Sequence, residues 1–584
     1  MLRIRRLFLT ALLACSWVAQ VSGGALAQAE TVAPIIAGKA RVYPVIARHG
    51  MVASQEARAS RIGVEILEGG GNAVDSAVAV AFALAVTLPR AGNLGGGGFM
   101  LIHLAREHKT VAIDYRETAP AAVTPDLFLD AAGHADPTKS RASGLAVGVP
   151  GTIAGLALAH EKYGSGNFSL ADLIRPAIRL AHDGVDVDDD LADSLAAARA
   201  RLARWPASAR IFLKADGAPR ERGDRLYQDD LARTLEAIAE GGPRAFYEGA
   251  IAERIVNSVR QAGGVMTRED LARYRAAERA PVRGTYRGLD IVSMPPPSSG
   301  GVHLIELLNI LEGFPLRETG AGAAATLHPM IEAMKLAYAD RAAYLGDPDF
   351  VKVPVSGLVS KDYAKRLRAT IDLEHARSAR EIAAGAPPGT EGGNTTHFSI
   401  VDREGNAVAN TYTLNFSYGL GLVAEGTGVL LNNELDDFAV QAGVPNAYGL
   451  VGNAANAPAP GKRPLSSMTP TIVLKDAKVL LVTGSPGGSR IITTVLQVLL
   501  NVLDHGMNIA EAVQAPRIHH QWLPDVVMAE PGFSPDTLAL LKARGHTIKV
   551  GATTGSANSI MALPNGGWAG AADPRQRGTL AIGY

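Results

Sequence analysis

"GGNTTHFSIV", Gly392 to Val401, is the stretch on which the reading of the chain turns. Small residues run into two threonines, and the threonines run into a stretch that reads as a strand. Ordinary β-propensity accounts for such a pair, because Thr favours strands and Gly favours turns. The segment before it, Ala383 to Asn394, holds several Gly breaks and Pro387-Pro388 with no apolar periodicity, so it reads as an exposed linker. Such a linker is either a passive connection or a place where the chain is cut.

The second reading has a chemical consequence. A Thr hydroxyl is a poor nucleophile near neutral pH unless a base lies within hydrogen-bond reach. No His or Lys is visibly paired with Thr395 in the sequence. A cut between Asn394 and Thr395 would free an α-amine on the nucleophile's own Cα. That amine has a pKa of about 7.7–8.0, against about 10.4 for Lys, so roughly a tenth is free base near pH 7. General-base work is best served by a pKa near ambient pH.

Working outward, the texture changes on either side of this point. From about Val42 to Leu373 helix outweighs strand. "SLADLIRPAIRLAHDG" is a helix with Ser169 as cap, Leu170, Leu173, Ile174, Ala177, Ile178 and Ala181 at helical spacing, Pro176 as an expected kink and Gly184 as stop. "RIGVEILEGGGNAVDSAVAVAFALAV" reads as helix, Gly-rich break and a largely buried helix. After Asn394, "HFSIVDREGNAVANTYTL" and "TIVLKDAKVLLVTG" read as hairpins turning at Glu404–Asn406 and at Asp476-Ala477. "SRIITTVLQVLLNVLDHG" then reads as an apolar helix ending at Gly506. Strand pairs followed by buried helices predict sheets with helices on their outer faces. There is no internal repeat.

The chain has 584 residues, enough for a large core, and 57 basic residues balance 57 acidic ones. No basic block is present, which argues against nucleic acid and for a small-molecule or peptide partner. Arg3, Arg5 and Arg6 precede an apolar run from Leu7 to Val18, and "ALAQA" follows. This reads as a secretory signal, residues 1–27, cleaved after Ala27 or Ala29, which predicts a periplasmic or secreted protein with no transmembrane span. The single cysteine, Cys15, lies inside it, so the mature chain has neither thiol nor disulfide. "LLAC", Leu12 to Cys15, also fits a lipobox, and lipid anchoring at Cys15 stands as the alternative.

Seven motifs occur in order: "NLGGGGFMLI", "DYRETAP", "NTTHFSIVD", "TYTLNFSYG", "LLNNELDDF", "KRPLSSM" and "TGSPGGSRI". Together they resemble the gamma-glutamyltranspeptidases of the bacterial secreted type, from about Ala47 to Tyr584. The resemblance implies an α+β N-terminal-nucleophile hydrolase, a four-layer αββα sandwich formed jointly by two subunits. It implies self-cleavage before Thr395 into a large subunit, 28–394, and a small catalytic subunit, 395–584, which pair as a heterodimer. Glutathione and other γ-glutamyl compounds are the implied donors, and amino acids or dipeptides the implied acceptors. Neither a metal nor an organic cofactor is implied.

The resemblance also assigns roles. Thr395 matches the nucleophile and Thr413 the threonine that orients it. Gly487 and Gly488 match the oxyanion hole, which suits a Gly pair at a helix start, where backbone N–H groups can approach a reacting oxygen. Arg116 matches the residue that takes the donor's α-carboxylate, for which a guanidinium fork is suited. Ser466 and Ser467 support the same carboxylate, and Asn415, Glu434 and Asp437 surround the α-ammonium. Tyr448, in the long "GVPNAYGLVGNAANAPAPGKRP" loop, matches the aromatic residue of a lid. "NNELDD" is rich in oxygen but lacks EF-hand spacing. His519 and His520, adjacent on a strand, would point apart and read as structural. Gly95 to Gly98 read as a close-packing backbone segment.

Two rivals remain at this point. One is a cephalosporin (glutaryl amide) acylase on the same scaffold, although the Tyr448 loop favours the transpeptidase branch. The other is an uncleaved exported protein that binds γ-glutamyl compounds without turnover.

Overall fold

The strand Thr396–Val401 and its partner Ala407–Thr413 form the expected hairpin, in antiparallel register from Thr396–Tyr412 to Val401–Ala407. The computed structural model of the protein describes residues 42–383, 396–452, 454–551 and 555–584. Asn394, Thr395 and the N-terminal segment with Cys15 lie outside the described residues.

That hairpin sits in the middle of a seven-stranded antiparallel sheet, in the order 580–583, 51–54, 396–401, 407–413, 97–104, 109–115, 277–279. The second expected hairpin, Thr471–Lys475 with Lys478–Thr483, lies in a second seven-stranded antiparallel sheet, in the order 45–47, 568–571, 559–562, 478–483, 471–475, 289–293, 282–286. Asp476 and Ala477 both take left-handed backbone, with φ of 51° and 61°, which closes this hairpin without the usual glycine.

Side-chain alternation separates the layers, because successive residues of a strand face opposite sides. Phe398, Ile400, Met100, Ile102, Val111 and Ile113 join the core that also holds helices Ala57–Glu68, Ala73–Thr87 and Leu170–Asp183. Phe99, Leu101, Ala112, Val401 and Ala409 instead join the core shared with the second sheet and with helices Gly300–Leu311, Ala324–Tyr344 and Arg490–Leu503. The layers therefore run helix, sheet, sheet, helix.

Local chemistry sets the helix ends as read. Ser169 and Asp172 form a reciprocal capping box, and Gly184 terminates that helix at φ 77°. The helix runs through Pro176. Every residue of Ala73–Thr87 is buried, as its unbroken apolar composition requires. The apolar helix near the C-terminus ends at Leu503, three residues before Gly506.

Gly95 to Gly98 are what lets the two halves of the sheet meet. A Cβ at Gly96 would lie 1.9 Å from the Thr413 carbonyl oxygen, and one at Gly98 would lie 2.4 Å from the Tyr412 Cβ. No helix among the described residues is long and apolar enough to cross a membrane.

Candidate active site

Both hairpins discharge into one cavity of about 620 Å3. Thr413, Asn415 and Tyr448 line one side of it, and Gly487 lines another. Thr413 ends its strand with its side chain fixed, since Thr413 Oγ1 accepts the Asn415 backbone N–H at 2.7 Å. Asn415 turns the chain with left-handed backbone, φ 70°, and its Nδ2 donates to the Asn433 carbonyl at 2.9 Å.

From the second sheet, the chain leaves Thr483 and reaches Gly487 at φ 134° and Gly488 at φ 63°, directly before helix Arg490–Leu503. Both angles are strained for any residue with a Cβ. Neither glycine's N–H donates to an acceptor among the described residues. Two donors without a partner among the described residues, at a helix N-terminus, suit a developing negative charge.

Directly after Asn433, which accepts from Asn415, the chain enters a buried charge cluster. Arg116, fully buried, follows strand Lys109–Tyr115. Its guanidinium donates to Glu434 Oε1, and to Asp437 Oδ2 at 2.6 Å, with Glu117 Oε2 at 3.7 Å. Its Nε donates to the Pro464 carbonyl at 3.0 Å. One guanidinium thus faces three carboxyl groups, all of them inaccessible to solvent. Burial pushes the Glu434 carboxyl up to about 8 and that of Glu117 up to about 7, against the pull of Arg116. Burial also raises Asp437 well above the usual carboxylate range. Burial works against the charge on Arg116, but Glu434, Asp437 and Glu117 more than offset it. Three anions and one cation in a dry site are not balanced, so a carboxyl here holds a proton unless a second cation arrives.

Ser466 and Ser467 are also buried, in the segment next to Pro464 and Leu465. The Ser466 carbonyl accepts from Ser299 N at 2.7 Å and Ser299 Oγ at 2.8 Å. Ser467 Oγ accepts from Arg341 Nη2 at 2.7 Å. Tyr448 lines the cavity, with its hydroxyl donating to Asn415 Oδ1 at 2.8 Å and its ring packed edge-on against Phe416. Gln521 Nε2 donates to the Tyr448 carbonyl at 3.0 Å, which ties the loop to the segment that follows strand Ile518–His519.

The structure therefore brings Thr413, Asn415, Tyr448 and Gly487 together around the cavity. It gathers Arg116, Glu434 and Asp437 into one ion cluster, with Ser466 and Ser467 in the adjoining buried segment. Glu117 and Arg341 were missed by sequence reasoning. Glu117 was legible as the neighbour of Arg116 in "DYRETAP"; Arg341 lies in a wholly buried helix turn with no local signal.

His519 and His520 hold separate partners, Thr493 with Gln521 and Asp525 respectively, as structural residues would. His328, Glu332 and His546 offer ligand atoms within 4.8 Å of one another. His328 Nδ1 and His546 Nε2 already share a hydrogen bond at 2.7 Å, however, and the Lys335 ammonium sits 2.8 Å from Glu332.

Two face-to-face antiparallel sheets between helical layers, with a threonine-led strand central in one sheet and both hairpins opening on a single cavity, define an N-terminal-nucleophile hydrolase. The chain belongs to the gamma-glutamyltranspeptidase family, whose model matches residues 59–583. It is 55% identical to the glutathione hydrolase proenzyme of Escherichia coli strain K12, over 93% of each chain. The structure of a cephalosporin acylase from Bacillus halodurans superposes with a TM-score of 0.83 at 30% identity, covering 94% of this chain and 98% of that one. The gamma-glutamyltranspeptidase of Helicobacter pylori superposes with a TM-score of 0.56 at 44% identity, covering 60% of this chain and 97% of that one.

Proposed function

We propose that the protein is a γ-glutamyl transferase and glutathione hydrolase that matures by cutting itself between Asn394 and Thr395. The observation that carries this reading is the convergence of the two hairpin ends, Thr413 and Gly487, on one cavity whose Asn415 is hydrogen-bonded to Asn433, next to a cluster of opposite charges. The cut yields a large subunit, 28–394, and a small one, 395–584, after export to the periplasm and loss of residues 1–27. The two subunits stay paired, because both sheets contain strands from each side of residue 394.

In maturation the Thr395 hydroxyl attacks the Asn394 carbonyl carbon, the acyl group moves from nitrogen to oxygen, and water hydrolyses the ester. The new α-amine of Thr395 then serves as base. In turnover the Thr395 oxygen attacks the γ-carbonyl of the donor while its proton passes to that amine. The N–H groups of Gly487 and Gly488 hold the oxyanion, a contribution of about 3–4 kcal/mol per donor in comparable sites. The C–N bond breaks as the leaving amine takes the proton. Water, or the amine of an amino acid or dipeptide, resolves the ester.

The zwitterionic glutamyl head meets opposite charges. Its α-carboxylate goes to Arg116 with Ser466 and Ser467, and its α-ammonium to Asn415, Glu434 and Asp437. That ammonium is the second cation the carboxylate cluster lacks. Tyr448 covers the head as a lid.

The test is Thr395→Ala. The wild type is expected to run as two fragments on a denaturing gel, the second beginning at Thr395, and to release p-nitroaniline from γ-glutamyl-p-nitroanilide. The variant is expected to remain one chain and to be inactive. A variant that still cleaves and turns over would sink the mechanism. The B. halodurans neighbour favours a second reading, a glutaryl amide acylase, which rates on glutathione and a glutaryl amide measured side by side would separate.

A further inference from the structure

Three arginines stand in the wall of the cavity: Arg90, Arg201 and Arg575. Two of them are already balanced. Arg90 Nε donates to Asp190 Oδ2 at 2.9 Å, and Arg575 is held by Glu530 at 2.6 Å and Asp573 at 3.1 Å. Arg201 has no such partner among the described residues. Its Nη1 donates to the carbonyls of Ser417 at 2.6 Å and Gly419 at 3.4 Å, and its guanidinium carbon lies 5.3 Å from the centre of the Phe416 ring. These contacts fix its direction without neutralising it. The loop is shaped around it: a Cβ at Gly421, φ 77°, would lie 2.6 Å from Arg201 Cγ.

Burial pulls the Arg201 pKa below the usual arginine value, and the nearby Tyr448 hydroxyl opposes this. A partly buried cation facing a cavity without a counter-ion is a place for an anion. Of the residues given to the glutamyl head, Asn415 and Tyr448 line this cavity, whereas Arg116 with its carboxyl partners lies outside its wall and is already paired. A cavity of about 620 Å3 falls within the range of roughly 300–1,000 Å3 typical of sites for drug-sized ligands. It has room for the other half of the donor.

We propose that Arg201 binds the free carboxylate on the peptide side of the scissile amide. In glutathione this is the C-terminal carboxylate of the leaving dipeptide. Because the acceptor amine attacks along the path the leaving amine takes, the same guanidinium holds the carboxylate of a dipeptide acceptor. This rests on the reading of the site as one for γ-glutamyl donors. It makes Arg201 a selectivity residue: it distinguishes peptide donors from donors with an uncharged leaving group.

The test is a double-mutant cycle with the charge removed from either side. The matured wild-type enzyme and its Arg201→Gln variant are assayed on glutathione and on glutathione amidated at its C-terminal carboxyl. A charge-assisted contact predicts that amidation lowers wild-type kcat/KM by roughly 10- to 100-fold. In Arg201→Gln the same loss is expected on glutathione, with amidation adding little, and Arg201→Lys should recover part of the preference.

An amide that the wild type accepts as readily as glutathione overturns the proposal. So does an Arg201→Gln variant that keeps the full preference for the carboxylate. So does a variant that loses both donors in equal proportion, since that places the arginine on the shared glutamyl head or in folding. If the wild type turns over neither glutathione nor γ-glutamyl-p-nitroanilide, the parent reading of the site has failed and takes this inference with it.

Discussion

Arg116 and Arg201 are the same side chain in opposite electrical settings. Arg116 is sealed in the interior and faces Glu117, Glu434 and Asp437. Arg201 stands in a cavity wall and leans on two carbonyls and an aromatic ring. A buried ion persists only with partners, and removal of one partner exposes the full cost of desolvating the others. A cation at a cavity wall is still partly hydrated, so it can do without a partner until a ligand brings one. Loss of Arg116 is therefore felt by the fold as well as by the donor, whereas loss of Arg201 is felt chiefly by what enters the cavity.

Removing the sealed cation should cost most. Arg116→Met leaves three buried carboxyl groups with no cation, and global stability should fall by about 3–5 kcal/mol, measured by urea unfolding of the matured enzyme. A loss under about 1 kcal/mol would mean that the arginine is not their counter-ion.

A smaller effect sharpens the same setting through pH. The Glu117 carboxyl is raised to about 7 in the fold, against about 4.3 in an unfolded chain. Between those values the folded state binds a proton that the unfolded state has released. Stability from this group is therefore present below about pH 4 and is lost as pH rises towards 7, with a slope of up to about 1.4 kcal/mol per pH unit. Glu117→Gln removes the titration, so the variant's thermal midpoint should decline less than that of the wild type between pH 5 and pH 7. Parallel profiles for the two proteins would count against the buried charge imbalance.

The smallest effect belongs to the open setting. Arg201→Gln should cost about 1 kcal/mol or less in global stability, read in the same urea series, although it changes donor selection. A loss as large as that of Arg116→Met would erase the contrast.

Much of this fold was legible locally. The hairpin after Asn394, its partner at 471–483, the Ser169 cap and the buried helix Ala73–Thr87 each follow from period, turn residues and capping, which act within a few residues. The candidate site residues were legible because they sit in short motifs. Their partnerships were not. Arg116 and Glu434 are 318 residues apart, and Arg341 and Ser467 are 126 apart. Arg201 lies near the end of an ordinary amphipathic helix, Asp189–Leu202, where an arginine in the last turn reads as a solvated face or a dipole contact.

The residues able to carry chemistry can be read along the chain: a threonine that a backbone cut would activate, a glycine pair before a helix, one arginine and two acids suited to a zwitterion. Which charges answer one another and which are left open is settled by folding, because Coulomb energies and desolvation depend on distance and burial in space. Neither is set by neighbours in the chain.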